Sequence, residues 1–230
     1  MKTLYRILAW LVTLLLPLAL TFLGLRMLLS HTFLQIEYSM PGFPEDMYGF
    51  TRADRLHYAP LAVDYLLNSA DISFLGNLTF PDGSSLYNDR ELSHMHDVKN
   101  VIQPALKLGY LAWALLLVLF VWARRGGWWP DFIGGLRNGG WLTLGLVTII
   151  GVFAVFNFWD FFTFFHSLFF KSDSWLFYYS DTLIRLFPMR FWQDAFTFVG
   201  VIDVLGGLAL GLGLRPKTKQ GVPIGGESVR

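Results

Sequence analysis

"FAVFNFWDFFTFFHSLFF", residues 153–170, holds nine phenylalanines in eighteen positions together with one aspartate and one histidine. Taken with the apolar residues that precede it from position 141, this stretch reads as the end of a helix that crosses a bilayer. The crossing closes near residue 164, and His166 stands just beyond it. An imidazole at that level is either an ordinary amphipathic residue of the interface or a group that moves protons.

Working outward, three more apolar runs reach the roughly 20 residues that a helix needs to cross a hydrocarbon core. They cover residues 5–29, 104–123 and 195–214. The first resembles a secretion signal in its basic start and apolar centre. It is too long for one, and no small-residue cleavage pattern follows, so it reads as a retained span. The chain of 230 residues is 54% hydrophobic, 17% aromatic and only 15% charged, which sets it apart from an average soluble domain. Cysteine is absent, which excludes disulfides, thiolate zinc sites and thiol nucleophiles. A net charge of +1 gives no sign of a nucleic-acid partner.

Charge orients the spans. With both termini inside, the inner flanks (residues 1–4, 124–140 and 215–230, with Arg6) carry nine of the eighteen basic residues and two of the seventeen acids. Basic residues in short flanks are what hold a topology to the cytoplasmic side. The expected fold is an all-α integral membrane protein: four transmembrane helices within residues 1–214, an extracytoplasmic cap over residues 30–103, a short outer loop over residues 165–194, and a disordered cytoplasmic tail from residue 215.

Within the cap, Thr51 is placed to cap a helix carrying Leu56, Leu61, Val63 and Leu66. "DISFLGNLTFPDGSSLYND" alternates around a Pro-Asp-Gly turn and predicts a short hairpin or extended loop. "DRELSHMHDVKNVIQPALKL" predicts a helix feeding the second span, kinked at Pro104. The inner "RRGGWWPDFIGGLRNGG" reads as a glycine-rich loop with two interfacial tryptophans.

The ionisable residues gather at one level. His94 precedes the second span and His166 follows the third, so two distant imidazoles arrive at a similar depth, where either can act as acid or base near neutrality. A metal site built from His94 and His96 with Asp89, Asp97 or His166 is a competing reading, but helical residues two apart point about 200° from each other. Ser93 and Ser167 adjoin the histidines as alternative nucleophiles, yet neighbours on a helix diverge by about 100°. Asp160 and Asp203 fall inside spans, where a carboxylate needs a partner or a cavity. Arg26 is the expected counter-charge for Asp160, in a structural ion pair.

Two blocks carry a likeness to known proteins: "RELSHMHDVKNV" (residues 90–101) and "FHSLFFKSDSWLFYYSDTLIRLFPMRFWQD" (residues 165–194). With the four-span layout and the "YAPLAVDYLLN" helix, they resemble the bacterial lipoprotein intramolecular transacylase family. The resemblance implies an acyltransferase that moves the sn-2 acyl chain of a diacylglyceryl-cysteine lipoprotein onto the α-amino group of the same cysteine, leaving a lyso-form. It places the family's two histidines on His94 and His166, and it implies a diacylated bacterial lipoprotein as substrate in membrane lipid, with no cofactor and no metal. Met189 stands where the family pattern has an acidic residue, so no role is carried onto the adjacent Pro188 turn. An α-amino group has a pKa of about 7.7–8.0, so a modest base is enough to free it. Nucleophile and ester in one molecule remove much of the entropic barrier. One histidine then takes the amine proton, His166 by preference, while the other protonates the departing glycerol oxygen or steadies the oxyanion. Arg90, Lys99 and Lys171 are candidate contacts to substrate or oxyanion. Two readings from other classes compete: a non-catalytic lipid-binding or scaffold protein, and a metal-dependent membrane hydrolase.

Overall fold

The computed structural model describes residues 1–170 and 174–214; Lys171 and the tail from residue 215 lie outside them. Among the described residues the chain is helical apart from loops and a single antiparallel bridge, Thr79 to Ser85. Among the described residues, four helices are long and apolar enough to cross a membrane: α1 (Lys2–Leu28), α5 (Asp89–Arg125), α6 (Trp129–Phe156) and α9 (Met189–Gly213).

Contacts along these helices set their directions. Tyr5 Oη donates to Gly126 O at 3.2 Å and Trp113 Nε1 to Ala19 O at 3.1 Å, so α1 and α5 are antiparallel. Thr13 Oγ1 donates to Gly135 O at 3.1 Å, and Gly139 packs on Leu16, so α1 and α6 run together. Thr21 Oγ1 donates to Asp203 Oδ2 at 3.0 Å while Gly24 meets Val199, which turns α9 back against α1. This up–down–up–down order brings the C-terminal ends of α1 and α6 and the N-terminal ends of α5 and α9 to one end of the bundle.

The glycine-rich segment differs from its sequence reading. From Trp129 it is helix, not loop, and only Gly126 to Trp128 connect α5 to α6. Its glycines let backbones approach: a Cβ on Gly135 falls 2.6 Å from Ala9 O, and one on Gly140 falls 2.7 Å from both Gly207 O and Gly211 N. Small residues four apart are the means by which helices pack where lipid offers no hydrophobic drive. Trp128 is buried against Tyr5 and Phe132. The atoms facing Gly140 are backbone and have no rotamer to yield. Gly140→Ala is therefore expected to destabilise the bundle by about 1–3 kcal/mol, read as a lowered Tm of the purified protein in detergent.

The third crossing also differs. The run read as one span over residues 141–164 is two helices, α6 and α7 (Phe158–Phe169), separated at Asn157. Because α6 starts at Trp129, its 28 residues already span about 42 Å by Phe156, more than a bilayer core of about 30 Å. The length needed for a crossing is therefore complete where the helix breaks. Asn157 caps α7: its side chain accepts from Asp160 N at 3.3 Å, and its Nδ2 donates to Asp160 Oδ2 at 2.8 Å. Asp160 is thus an exposed residue of a helix N-terminus, where a carboxylate is favoured by the backbone dipoles. Arg26, also exposed, donates to Leu29 O at 3.0 Å. The expected Arg26–Asp160 ion pair does not form.

At that end of the bundle sits the cap. It comprises α2 (His31–Glu37), α3 (Arg52–Leu67), α4 (Ser73–Gly76), the first turns of α5, and α8 (Thr182–Leu186). Thr51 and Asp54 form a capping box at the start of α3, as Asn88 and Glu91 do for α5. The expected turn forms at Pro81-Asp82-Gly83, with Gly83 at φ +85, although residues 73–76 preceding it are helical. Helix α5 passes through Pro104 without interruption. Leu34, Ala59, Tyr65, Leu75, Leu86 and Leu186 centre a core that joins cap to bundle.

Candidate active site

His94 lies in the polar first turns of α5, before its apolar stretch, and His166 in the last turn of α7. The break at Asn157 is what aims α7 so that these imidazoles meet. Their ring centroids are 6.3 Å apart and their planes within 20° of parallel. Both are buried, at 8% and 7% exposure.

His166 Nδ1 lies 2.8 Å from Phe162 O, a carbonyl that can only accept. The proton therefore resides on Nδ1 and the lone pair on Nε2. His94 Nδ1 is buried with no partner among the described residues. Aromatic rings enclose the pair: Phe162 and Trp175 at 4.1 and 4.7 Å from His166, Phe170 and Phe177 at 5.0 and 5.3 Å from His94. Burial pushes the His94 imidazole down to about 4, with proximity to His166 acting in the same direction. Burial also lowers the His166 pKa, against a smaller opposing effect of its bond to Phe162 O. Both shifts favour the neutral ring.

The two histidines line a cavity of about 420 Å³. Its other walls are apolar side chains such as Leu29, Val63, Met95, Leu183, Met189 and Trp192, and no charged residue among the described ones lines it. An apolar chamber with two neutral imidazoles in its wall suits an acyl ester, and can accept a proton at His166 Nε2 and offer an N–H from His94.

Of the basic residues expected at the site, Arg90 and Lys99 are elsewhere. Arg90 shares the face of α5 that carries His94 but is taken by Asp181, at 2.7 Å, and lies over the Tyr178 ring at 4.8 Å. Lys99 is five residues past His94, about 140° around the helix. Its Nζ donates to Ala70 O at 2.5 Å and to Asn68 Oδ1 at 3.1 Å, tying α5 to the end of α3. Neither lines the cavity. His96 is exposed beside Asp97 and Asn100, away from His94. Ser93 is exposed, and Ser167 Oγ donates to Phe164 O at 2.7 Å. No three His, Asp or Glu side chains among the described residues converge as metal ligands.

Sequence reasoning did not single out Trp175, Phe177 or Glu91. For Glu91 a signal existed, since Asn88-x-x-Glu91 is a capping-box pattern. For Trp175 the signal was its place in the motif that runs from Phe165 to Pro188; for Phe177 there was none, because the loop holding it is rich in aromatic residues throughout.

The sequence model of the family described as lipoprotein intramolecular transacylase Lit matches residues 7–192. An uncharacterized protein of Aquifex aeolicus (strain VF5) is 30% identical over 186 residues, which cover 81% of this chain and 83% of the relative. Among solved structures, the membrane-integral lipoprotein intramolecular transacylase Lit of Bacillus cereus has the same fold. It superposes with a TM-score of 0.77 at 19% identity, over 91% of this chain and 94% of that one. A form of the same Bacillus protein with one histidine replaced by arginine gives a TM-score of 0.66 at 18% identity, over 91% and 89%.

Proposed function

Because this chain belongs to the lipoprotein intramolecular transacylase family, an integral-membrane acyltransferase family, we propose that His94 and His166 are its catalytic pair. We propose further that the acyl chain they transfer is the sn-2 chain of a diacylglyceryl-cysteine. The neutral α-amino nitrogen of the cysteine attacks the ester carbonyl, and His166 Nε2 takes the proton that the nitrogen sheds. His94, kept uncharged by burial, donates an N–H to the oxyanion. The intermediate then collapses: the carbonyl carbon–glycerol oxygen bond breaks, and that oxygen takes the proton held at His166. The products are an N-acylated cysteine and a free glycerol hydroxyl within one lyso-form lipoprotein, with no other reactant consumed.

The observation that carries this reading is the approach of the two imidazoles, 6.3 Å apart, in the wall of an uncharged apolar cavity. Basic residues concentrated at the opposite end of the bundle favour both termini in the cytoplasm, with the cap, the loop over residues 165–194 and the site facing outside. The substrate's glycerol esters lie at that same interface.

Transfer within one molecule leaves its mass unchanged, so the test must read position. Purified protein in lipid is incubated with a synthetic diacylated lipopeptide. Loss of amine reactivity, with fragment ions that carry the acyl group on the N-terminal nitrogen, is the expected result. An amine that stays reactive while free fatty acid accumulates would identify a hydrolase instead.

A further inference from the structure

Above the histidine pair, the segment that holds Trp175 and Phe177 is fastened to the start of α5. Glu91, only 1% exposed, accepts hydrogen bonds at both carboxylate oxygens: Leu183 N at 2.7 Å and Asn88 N at 2.8 Å. Beside it, Thr182 Oγ1 donates to Leu86 O at 2.5 Å. Asp181 receives Arg90 Nη2 at 2.7 Å, Asn88 Nδ2 at 3.2 Å and Tyr178 N at 2.9 Å. Asp181, Thr182 and Leu183, at the start of α8, are thus joined to the first turn of α5 and the residues just before it, and a few residues back along the chain stand the rings that cover His166 and His94.

We propose that Glu91, with Asp181 beside it, is a positioning residue for acyl transfer: it clasps the outer loop to α5 so that Trp175 and Phe177 stay closed over the histidines and keep water from the reacting ester. This rests on the reading of His94 and His166 as the catalytic pair. A carboxylate is the side chain the place requires, since both of its partners are N–H donors. An amide there accepts one bond and sets its own NH₂ against the other donor. Exclusion of water strengthens the hydrogen bonds that the imidazoles offer to the developing charge, and it protects the ester from hydrolysis.

The test uses the full-length protein in lipid, the diacylated lipopeptide, and the variants Glu91→Gln and Asp181→Ala, the second of which cuts the clasp from the loop side. Amide exchange over residues 174–187 is expected to quicken by about tenfold or more as the loop opens locally. Amine acylation is expected to slow by about tenfold or more in kcat with a smaller change in KM. The lower break of kcat/KM, where the slope steepens from one to two as His166 takes up its proton, should move up in pH, because water reaching the rings returns their pKa toward the ordinary value. A slower rate with that lower break unmoved assigns Glu91 to folding alone and overturns the proposal, as do wild-type exchange and rate in both variants. If Glu91→Gln does not give folded protein, Asp181→Ala decides. Failure of the wild-type protein to acylate the amine overturns the transacylase reading instead, and amide exchange still reports on the clasp.

Discussion

Replacing His166 with alanine is expected to slow acyl transfer by about 10²–10⁴-fold, the range set by loss of a positioned general base. The proton of the attacking amine then loses the base positioned for it, since the one other imidazole among the described lining residues, His94, serves the oxyanion in this reading. His94→Ala is expected to cost about 10²–10³-fold, the effect of removing one donor to an oxyanion. His94→Gln, which keeps an N–H near the same place, should recover part of that loss, whereas His166→Gln, which supplies no base, should recover none. Imidazole added to His166→Ala has room where the ring was and is expected to restore some rate. The measurement is amine acylation of the lipopeptide, with thermal unfolding of each variant to show that the fold persists. Wild-type rates in both alanine variants would end the proposal.

The second large effect concerns pH. Two groups must be deprotonated for attack: the substrate amine, with a pKa of about 7.7–8.0, and the His166 base. Burial lowers the His166 pKa below its ordinary value, so the base form is already present at neutral pH and is lost only as pH falls through that lowered pKa. A logarithmic plot of kcat/KM against pH should therefore rise with a slope of one below about pH 7.5, on account of the amine alone. That single slope should persist below about pH 6.5, where an ordinary histidine would already have steepened it to two. A break to a slope of two at or above that pH would show an imidazole open to water, and an unburied site. His94 needs no charge for its part, so no alkaline fall from its titration is expected.

Hydropathy and composition alone specify a bundle of four crossings, since a run of about 20 apolar residues has no other stable place. The Thr51-capped helix and the Pro81-Asp82-Gly83 turn were equally legible, because a cap and a tight turn depend on residues adjacent in the chain. His94 and His166 could be picked out by their depth and by the motifs around them. Their separation could not, since it depends on where α7 points. That direction follows from a break at Asn157 which continuous hydropathy hides and which only the Asn157–Asp160 capping pattern betrays. Tertiary packing likewise decided what the polar groups do. Arg90 was drawn to Asp181, Lys99 to the end of α3, and Arg26 to a nearby carbonyl, because a buried or interfacial charge takes the nearest geometry that satisfies it. Gly135, Gly139 and Gly140, which read as loop, became the face of α6 that meets α1 and α9, since backbone proximity between helices is a property of two segments at once. Pattern within one segment is local and can be read along the chain. Which side chains face each other across segments is settled only when the segments pack.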